Sequence, residues 1–451
     1  MLKKCRKLTA FLMAICLVLS MAPGALAAEA VGKLKVTLDN YSGDLRLVGS
    51  RETNSGDFAA DAVYQYYNLS MGVTAAVVDA GSIQNGTITG DVTDETCKQI
   101  QPDGDASCVI RVTGQVLLDA LEWGARNVGK SDSDAFLQVS GINYTVDASV
   151  PSTVQQKNGV WTGSPTGDYR VQDVTIWNRD RGRYLALDLS KTYRLAGYSD
   201  LLLDCEQGFA MFQGVEALVK DGAPDYEILA EFFQSFANNT VTTGAVGPRK
   251  ASYEYVYGEG RITILGVFGD VNDHWSEAWV YAMYNAGMVQ GVSASSFEPE
   301  RKMTRAEFGT MLYRICGLSN DGYDNPFDDV EESDWYYDEV VALAENGIIN
   351  GYGDGTFAPD KEISRQEMVQ LVYNVSKMFE LGSMEAEEGV YERFDDAGLV
   401  EDWARVAMNW AVSKGVINGY DNKLTPLNYT TRAEATTMLC NWLVEVGNRP
   451  A

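Results

Sequence analysis

The chain has 451 residues, 45% of them hydrophobic and 22% charged, with a formal net charge of −27. That composition suits two or three globular domains and excludes long disorder. The acidic balance excludes nucleic acid as a partner, because phosphate binding needs clustered Lys and Arg.

In chain order, Lys3, Lys4, Arg6 and Lys7 precede an apolar run over 8–21 that is too short to span a bilayer. Pro23-Gly24 breaks it, and Ala25-Leu26-Ala27 is a small-x-small cleavage site. Residues 1–27 are read as a secretory signal peptide, and no later apolar run is long enough to cross a membrane. The expectation is a secreted protein held at the cell surface, with no membrane contact after cleavage. Cys5 and Cys16 leave with the signal. The other five cysteines are odd in number and lack metal spacing. Cys97 and Cys108 are close enough to pair across a short loop or to stay free; Cys316 and Cys440 read as buried thiols.

Residues 33–266 alternate strand and helix patterns. Helices are expected at 54–67, 114–128, 209–219 and 225–236. Strands are expected at 74–78, 109–112, 136–146, 171–177, 184–187 and 261–265. The fold class is α+β, with a sizeable core.

Several segments here carry a resemblance. They are Arg51-Glu52-Thr53-Asn54-Ser55-Gly56-Asp57-Phe58, Asn85-Gly86-Thr87-Ile88-Thr89, Thr113-Gly114-Gln115-Val116-Leu117, Phe136-Leu137-Gln138-Val139-Ser140-Gly141 and Lys191-Thr192-Tyr193-Arg194. In order and spacing they resemble the 5′-nucleotidase C-terminal domain. The resemblance implies a nucleotide pocket near Arg51, Asp79, Gln84 and Asp103, with hydrolysis done by a separate two-metal domain. The pocket is eroded. The family's Asn-Gly-Gly-Gly-Ile-Arg reads Asp79-Ala80-Gly81-Ser82-Ile83-Gln84, and its Pro-Phe-Gly reads Pro102-Asp103-Gly104. Loss of a base-stacking aromatic removes about 1–3 kcal/mol on the single-strand stacking scale. Arg51 survives, and pairing with a neighbouring acid at the helix start explains it equally well. A two-metal phosphatase needs several His ligands. This chain has one, His274, read as a surface or cap residue beside Trp275. No catalytic residue, metal or cofactor is expected in the chain itself.

Three repeats follow, at 267–318, 325–378 and 392–445. They open with Phe268-Gly269-Asp270, Phe327-Asp328-Asp329 and Phe394-Asp395-Asp396. Trp275, Trp335 or Trp403 comes next, then an amphipathic helix ending at Gly287, Gly347 or Gly415. After Pro299, Pro359 or Pro426 a second helix begins with Thr304-Arg305-Ala306-Glu307, Ser364-Arg365-Gln366-Glu367 or Thr431-Arg432-Ala433-Glu434. Ser/Thr-x-x-Glu is a capping box, which explains the hydroxyl and the carboxylate. Arg at the first helical position opposes the macrodipole. Its threefold use points to an anion held by guanidinium and free helix N–H groups.

The pattern, clearest in Gly351-Tyr352-Gly353-Asp354-Gly355-Thr356-Phe357, resembles the S-layer-homology (SLH) family. That implies an all-α pseudo-threefold module whose grooves bind an anionic, often pyruvylated, secondary cell-wall polysaccharide. By motif, the groove residues are Asp270, Trp275, Arg305, Asp329, Trp335, Arg365, Asp396, Trp403 and Arg432. The first and third repeats depart from the Gly-Tyr-x-Asp-Gly-Thr-Phe consensus, so the second groove is expected to be the most complete. The three Trp residues are read first as core and second as ligand platforms. Asp321, Asp324, Asp328 and Asp329 lack a calcium-loop spacing and read as turn residues.

The leading functional reading is therefore a wall-anchored surface protein that displays a non-catalytic nucleotidase-derived domain. The alternatives are a nucleotide-catabolism component acting with a separate metallophosphatase chain and an S-layer lattice subunit; the expected partners are the wall polysaccharide and, beside it, other surface proteins or a metallophosphatase.

Overall fold

The computed structural model describes residues 30–42, 45–243, 252–318 and 322–446. The expected signal peptide, with Cys5 and Cys16, and also Asp321, lie outside the described residues. Among the described residues no helix is long and apolar enough to cross a membrane.

Among the described residues the N-terminal domain is built on three larger sheets, with two two-stranded hairpins beside them. The five-stranded sheet runs in the order Glu216–Val219, Ser107–Thr113, Thr192–Tyr198, Ala75–Asp79, Leu137–Ser140. A four-stranded sheet runs Arg183–Ala186, Val171–Asn178, Ile142–Asp147, Ile262–Leu265. A third joins Thr240–Val241, Ala30–Leu38 and Ile88–Thr93. The continuous strand expected over 136–146 is two strands in two sheets. Gly141 is the corner between them, at φ +82°, where a residue with a Cβ is strained. The helix expected over 209–219 is absent. A short 3-10 turn, Ala210–Phe212, leads into the edge strand Glu216–Val219. Met211 and Phe212 are buried there without a helical stripe.

The helix Asn54–Met71 runs along the middle of the domain. Thr53 caps it by accepting from the Gly56 amide, and Gly72 ends it at φ +58°. A Cβ on Gly56 would come within 2.2 Å of Gln138 Oε1, so only glycine fits. The inner face carries a buried ionic cluster. Arg261 donates to both oxygens of Asp61, at 2.9 and 2.7 Å, and its Nε lies 3.3 Å from Asp57. Tyr253 and Ser140 also donate to Asp61. Glu52 accepts the Glu259 and Ile262 amides, at 2.6 and 2.7 Å. The chain leaving the domain is thus tied to its first helix. Three buried carboxylates face one guanidinium, and burial pushes Asp57 and Glu52 above the ordinary carboxylate range.

The C-terminal region repeats one unit. The leading helices are Glu277–Asn285, Tyr337–Glu345 and Arg405–Ser413. Each is stopped at a left-handed glycine: Gly287, Gly347 and Gly415, at φ +71°, +67° and +70°. The second helices are Arg305–Cys316, Arg365–Met378 and Arg432–Glu445, and all three have reciprocal capping boxes. They meet in a shared core, where the buried Trp442 indole donates to Ser376 Oγ at 2.8 Å. Isolated bridges Thr304↔Glu362, Ser364↔Tyr429 and Lys302↔Thr431 join repeat 1 to 2, 2 to 3 and 3 to 1. The ring is closed. The first repeat is also docked on the N-terminal domain: the Asn285 side-chain amide bonds both Ile264 N and Ile264 O, at 2.8 and 2.9 Å. It covers the open edge of the strand Ile262–Leu265.

Candidate functional site

The three motif arginines are cross-repeat staples. Arg305 Nε donates to Phe357 O at 2.9 Å, and Arg432 Nε to Phe297 O at 2.8 Å. Each reaches the repeat next in the ring, and each lies over that phenylalanine ring, at 4.8 and 4.5 Å. Arg432 also donates to Gln290 O at 2.9 Å. Arg305 and Arg432 are 4% and 8% exposed. Arg365 differs. Its Nη2 reaches Asn418 O at 3.2 Å, but its buried Nε has no partner. Burial lowers its pKa, and no carboxylate lies within ion-pair distance among the described residues.

The expectation that helix-start N–H groups are free for an anion does not hold. Arg305 N and Ala306 N donate to Lys361 O and Pro359 O. Arg365 N and Gln366 N donate to Asn428 O and Pro426 O, and Arg432 N and Ala433 N to Arg301 O and Pro299 O. The neighbouring repeat's turn takes the place of the ligand.

Asp270, Asp329 and Asp396 hold that same turn from within their own repeats. Asp329 accepts Phe357 N and Ala358 N, both at 2.8 Å. Asp270 accepts Phe297 N and Glu298 N, and Asp396 accepts Leu424 N and Thr425 N. These bonds fix Glu298, Ala358 and Thr425 at φ +57°, +56° and +51°, a costly conformation for residues with a Cβ. Burial alone would raise Asp270, but the turn amides and Ser296 outweigh it and hold it below the ordinary aspartate value. Asp328 donates its amide to Gly355 O in the same turn.

The tryptophans are not core, contrary to the first expectation. Trp275, Trp335 and Trp403 are 51%, 63% and 49% exposed. Trp403 is positioned by Glu401, which accepts its indole N–H at 2.8 Å and is itself held by reciprocal bonds with Gln366. His274 lies beside Trp275, with its ring nitrogens bonded to Ser276 and Glu300.

Between these parts, on the second repeat, lies a cavity of about 800 Å³. Arg305 and Lys361 bring positive charge; Tyr352, Trp403 and Tyr429 bring aromatic faces; Asn350, Gln370 and Asn374 bring amides. Lys361 Nζ donates to the Tyr352 hydroxyl at 2.8 Å, and that hydroxyl donates to Glu367 at 2.6 Å. Burial pushes Glu367 up. The Tyr352, Ser364 and Arg305 interactions outweigh it, so its carboxyl sits below the usual range and stays ionised. The equivalent cavity on the first repeat is smaller, about 200 Å³, and holds Arg432, Arg314 and Trp335. Of the motif residues, the structure therefore brings Arg305 and Trp403 into one cavity and Arg432 and Trp335 into another. Lys361, Tyr429 and the amides escaped the sequence reading, since no motif marks them; Tyr352 stood within the quoted glycine-rich segment.

The four N-terminal pocket residues do not gather. Arg51 faces the first repeat, its guanidinium 4.0 Å over the Tyr284 ring and donating to Tyr284 O at 3.3 Å. Asp79 is buried at the end of its strand, and burial, then Asp200, raise it to about 7. Asp200 is itself raised to about 7 by burial and by Asp105. Gln84 is exposed and folds back onto Gly81 O; Asp103 is exposed. At the family's loop positions Asp79 and Asp103 are acids and Gln84 is neutral, so none of the three brings positive charge. Cys97 and Cys108 are free and buried, with burial pushing both thiols up to about 12. They are inert at neutral pH.

Residues 30–214 match the 5′-nucleotidase, C-terminal domain. Residues 267–308, 326–369 and 393–436 each match the S-layer homology domain. The chain is 32% identical over 199 residues to the surface-layer 125 kDa protein of Lysinibacillus sphaericus, covering 44% of this chain and 15% of that one. It is 30% identical over 210 residues to the trifunctional nucleotide phosphoesterase protein YfkN of Bacillus subtilis, covering 47% and 13%. It thus spans only a fraction of the length of these relatives. The solved 5′-nucleotidase precursor of Thermus thermophilus aligns with TM-score 0.41 and 25% identity, covering 52% of this chain and 39% of that one.

Proposed function

We propose that this cell-surface, cell-wall-associated chain, a 5′-nucleotidase C-terminal domain followed by three S-layer homology domains, is held to the wall by binding an anionic secondary polysaccharide in its inter-repeat grooves. The observation that carries the reading is the second-repeat cavity. Aromatic faces suit sugar rings, amides suit hydroxyls, and the half-exposed Lys361 ammonium, which shares Glu367 with Arg305 at 3.4 Å, suits a carboxylate or ketal-linked pyruvate. Its volume lies within the range that small-ligand sites occupy. The N-terminal domain is displayed and does not hydrolyse nucleotides by itself. The single histidine is engaged in the first repeat, and the residues matching the family's nucleotide loops are acidic or neutral.

The test is co-sedimentation of purified protein with cell walls, native and after chemical removal of pyruvate. Binding to native walls and its loss on depyruvylated walls is the expected result. Equal recovery on both would dismiss the anionic ligand. A second reading, a partner domain for a separate metallophosphatase, is favoured by the phosphoesterase relative. Phosphate release from nucleotides with manganese or zinc, appearing only when such an enzyme and this chain are mixed, would support it.

A further inference from the structure

A second cavity, of about 400 Å³, lies where the N-terminal domain meets the first repeat. Arg46, Arg51 and Lys130 line it from one side, Tyr284 and the loop at Gln290-Gly291 from the other. Arg46 is neutralised by Asp132 and Asp134. Arg51 and Lys130 have no carboxylate within ion-pair distance among the described residues. The Arg51 guanidinium is held rigidly, sandwiched toward Tyr284 at 4.0 Å and Tyr257 at 5.5 Å, and offers donors beyond the one spent on Tyr284 O. Asp132 lines the cavity too, so Arg46, Arg51 and Lys130 stand against one lining carboxylate, and in a chain of net charge −27 this net positive lining favours an anion. Gln290 and Gly291 also line the first-repeat groove that holds Arg432, so the two cavities meet at one loop.

We propose that the seam between the domains is an additional subsite for an acidic sugar residue of the same wall polymer, continuing the first-repeat groove onto the N-terminal domain. The inference rests on the wall-polymer reading and deepens it. The N-terminal domain then takes part in anchoring as well as being carried. The first repeat's groove, small by itself, is extended by residues that three repeats alone do not supply.

The test uses the full chain and polysaccharide released from purified walls, separated into single-repeat and long fragments. Lys130 is exposed and spent on no side-chain bond, so Lys130→Glu leaves the fold intact. Lys157→Glu, on an exposed strand outside the cavity, makes the same change in net charge and is the control. Lys130→Glu is expected to weaken long-fragment binding roughly fivefold at low salt, as a charge at the rim of an interface does, and Lys157→Glu to leave it unchanged. If the two variants bind long fragments alike while wild type binds normally, the seam subsite is wrong and wall anchoring stands. If wild type binds neither fraction, both readings fall together.

Discussion

At the scale of single residues, the motif side chains are spent mostly on the protein's own backbone. In the first and second repeats the Asp and the Arg of the neighbouring repeat grip opposite sides of one left-handed turn, at Phe297-Glu298 and Phe357-Ala358. Ala358 at φ +56° is therefore strained, and Ala358→Gly is expected to raise stability by about 0.5–1 kcal/mol, read as a higher unfolding midpoint. This also bears on how Arg305→Ala is interpreted: loss of wall binding in that variant would report a broken turn as much as a lost ligand contact. The buried acids of the N-terminal domain are a separate matter. Asp79 and Asp200 titrate near 7 when folded, above their unfolded value of 3.8. A raised carboxyl contributes stability below its unfolded pKa and loses it as pH rises through the folded one. The N-terminal domain is thus expected to unfold at higher temperature at pH 5 than at pH 8. Asp200→Asn should stabilise it at pH 8 by about 1–2 kcal/mol and flatten that dependence. A denaturation series from pH 5 to 8 checks both, and a midpoint that climbs with pH would refute the assignment.

At the scale of elements, capping and periodicity were readable and sheet partnership was not. The helices at 54–67 and 225–236, the six leading and capped helices and their stop glycines could be written from the sequence because each has a local cause: a cap, an apolar stripe or a Gly. The 136–146 strand reads as one because alternation continues through Gly141, while only the tertiary fold decides that its halves join different sheets. The misjudged helix at 209–219 is apolar without being helical, since Met211 and Phe212 fill a core from a 3-10 turn. Tryptophans beside a helix start look like core by composition, and their exposure emerges only from the ring of repeats. That ring depends on buried polar links. Ser376→Ala would leave the Trp442 indole N–H without its partner and cost about 1–3 kcal/mol, measured by denaturant unfolding of the full chain.

At the scale of the whole molecule, the repeats and the N-terminal domain are joined through the Asn285 bridge and the Arg51 stack. The sequence shows both domains but nothing of this seam, because its residues lie far apart in the chain. The groove of the second repeat is proposed to hold anionic wall polymer through Trp403 and Lys361, side chains that the inter-repeat turn does not use. Calorimetric titration of purified wall polysaccharide into wild type, Trp403→Ala and Lys361→Met tests it most directly, with thermal unfolding as a check on the fold. Saturable, salt-sensitive binding by wild type, weakened roughly tenfold or more in each variant at an unchanged unfolding midpoint, is the expected result. Both variants binding as tightly as wild type would rule out this groove as the polymer site.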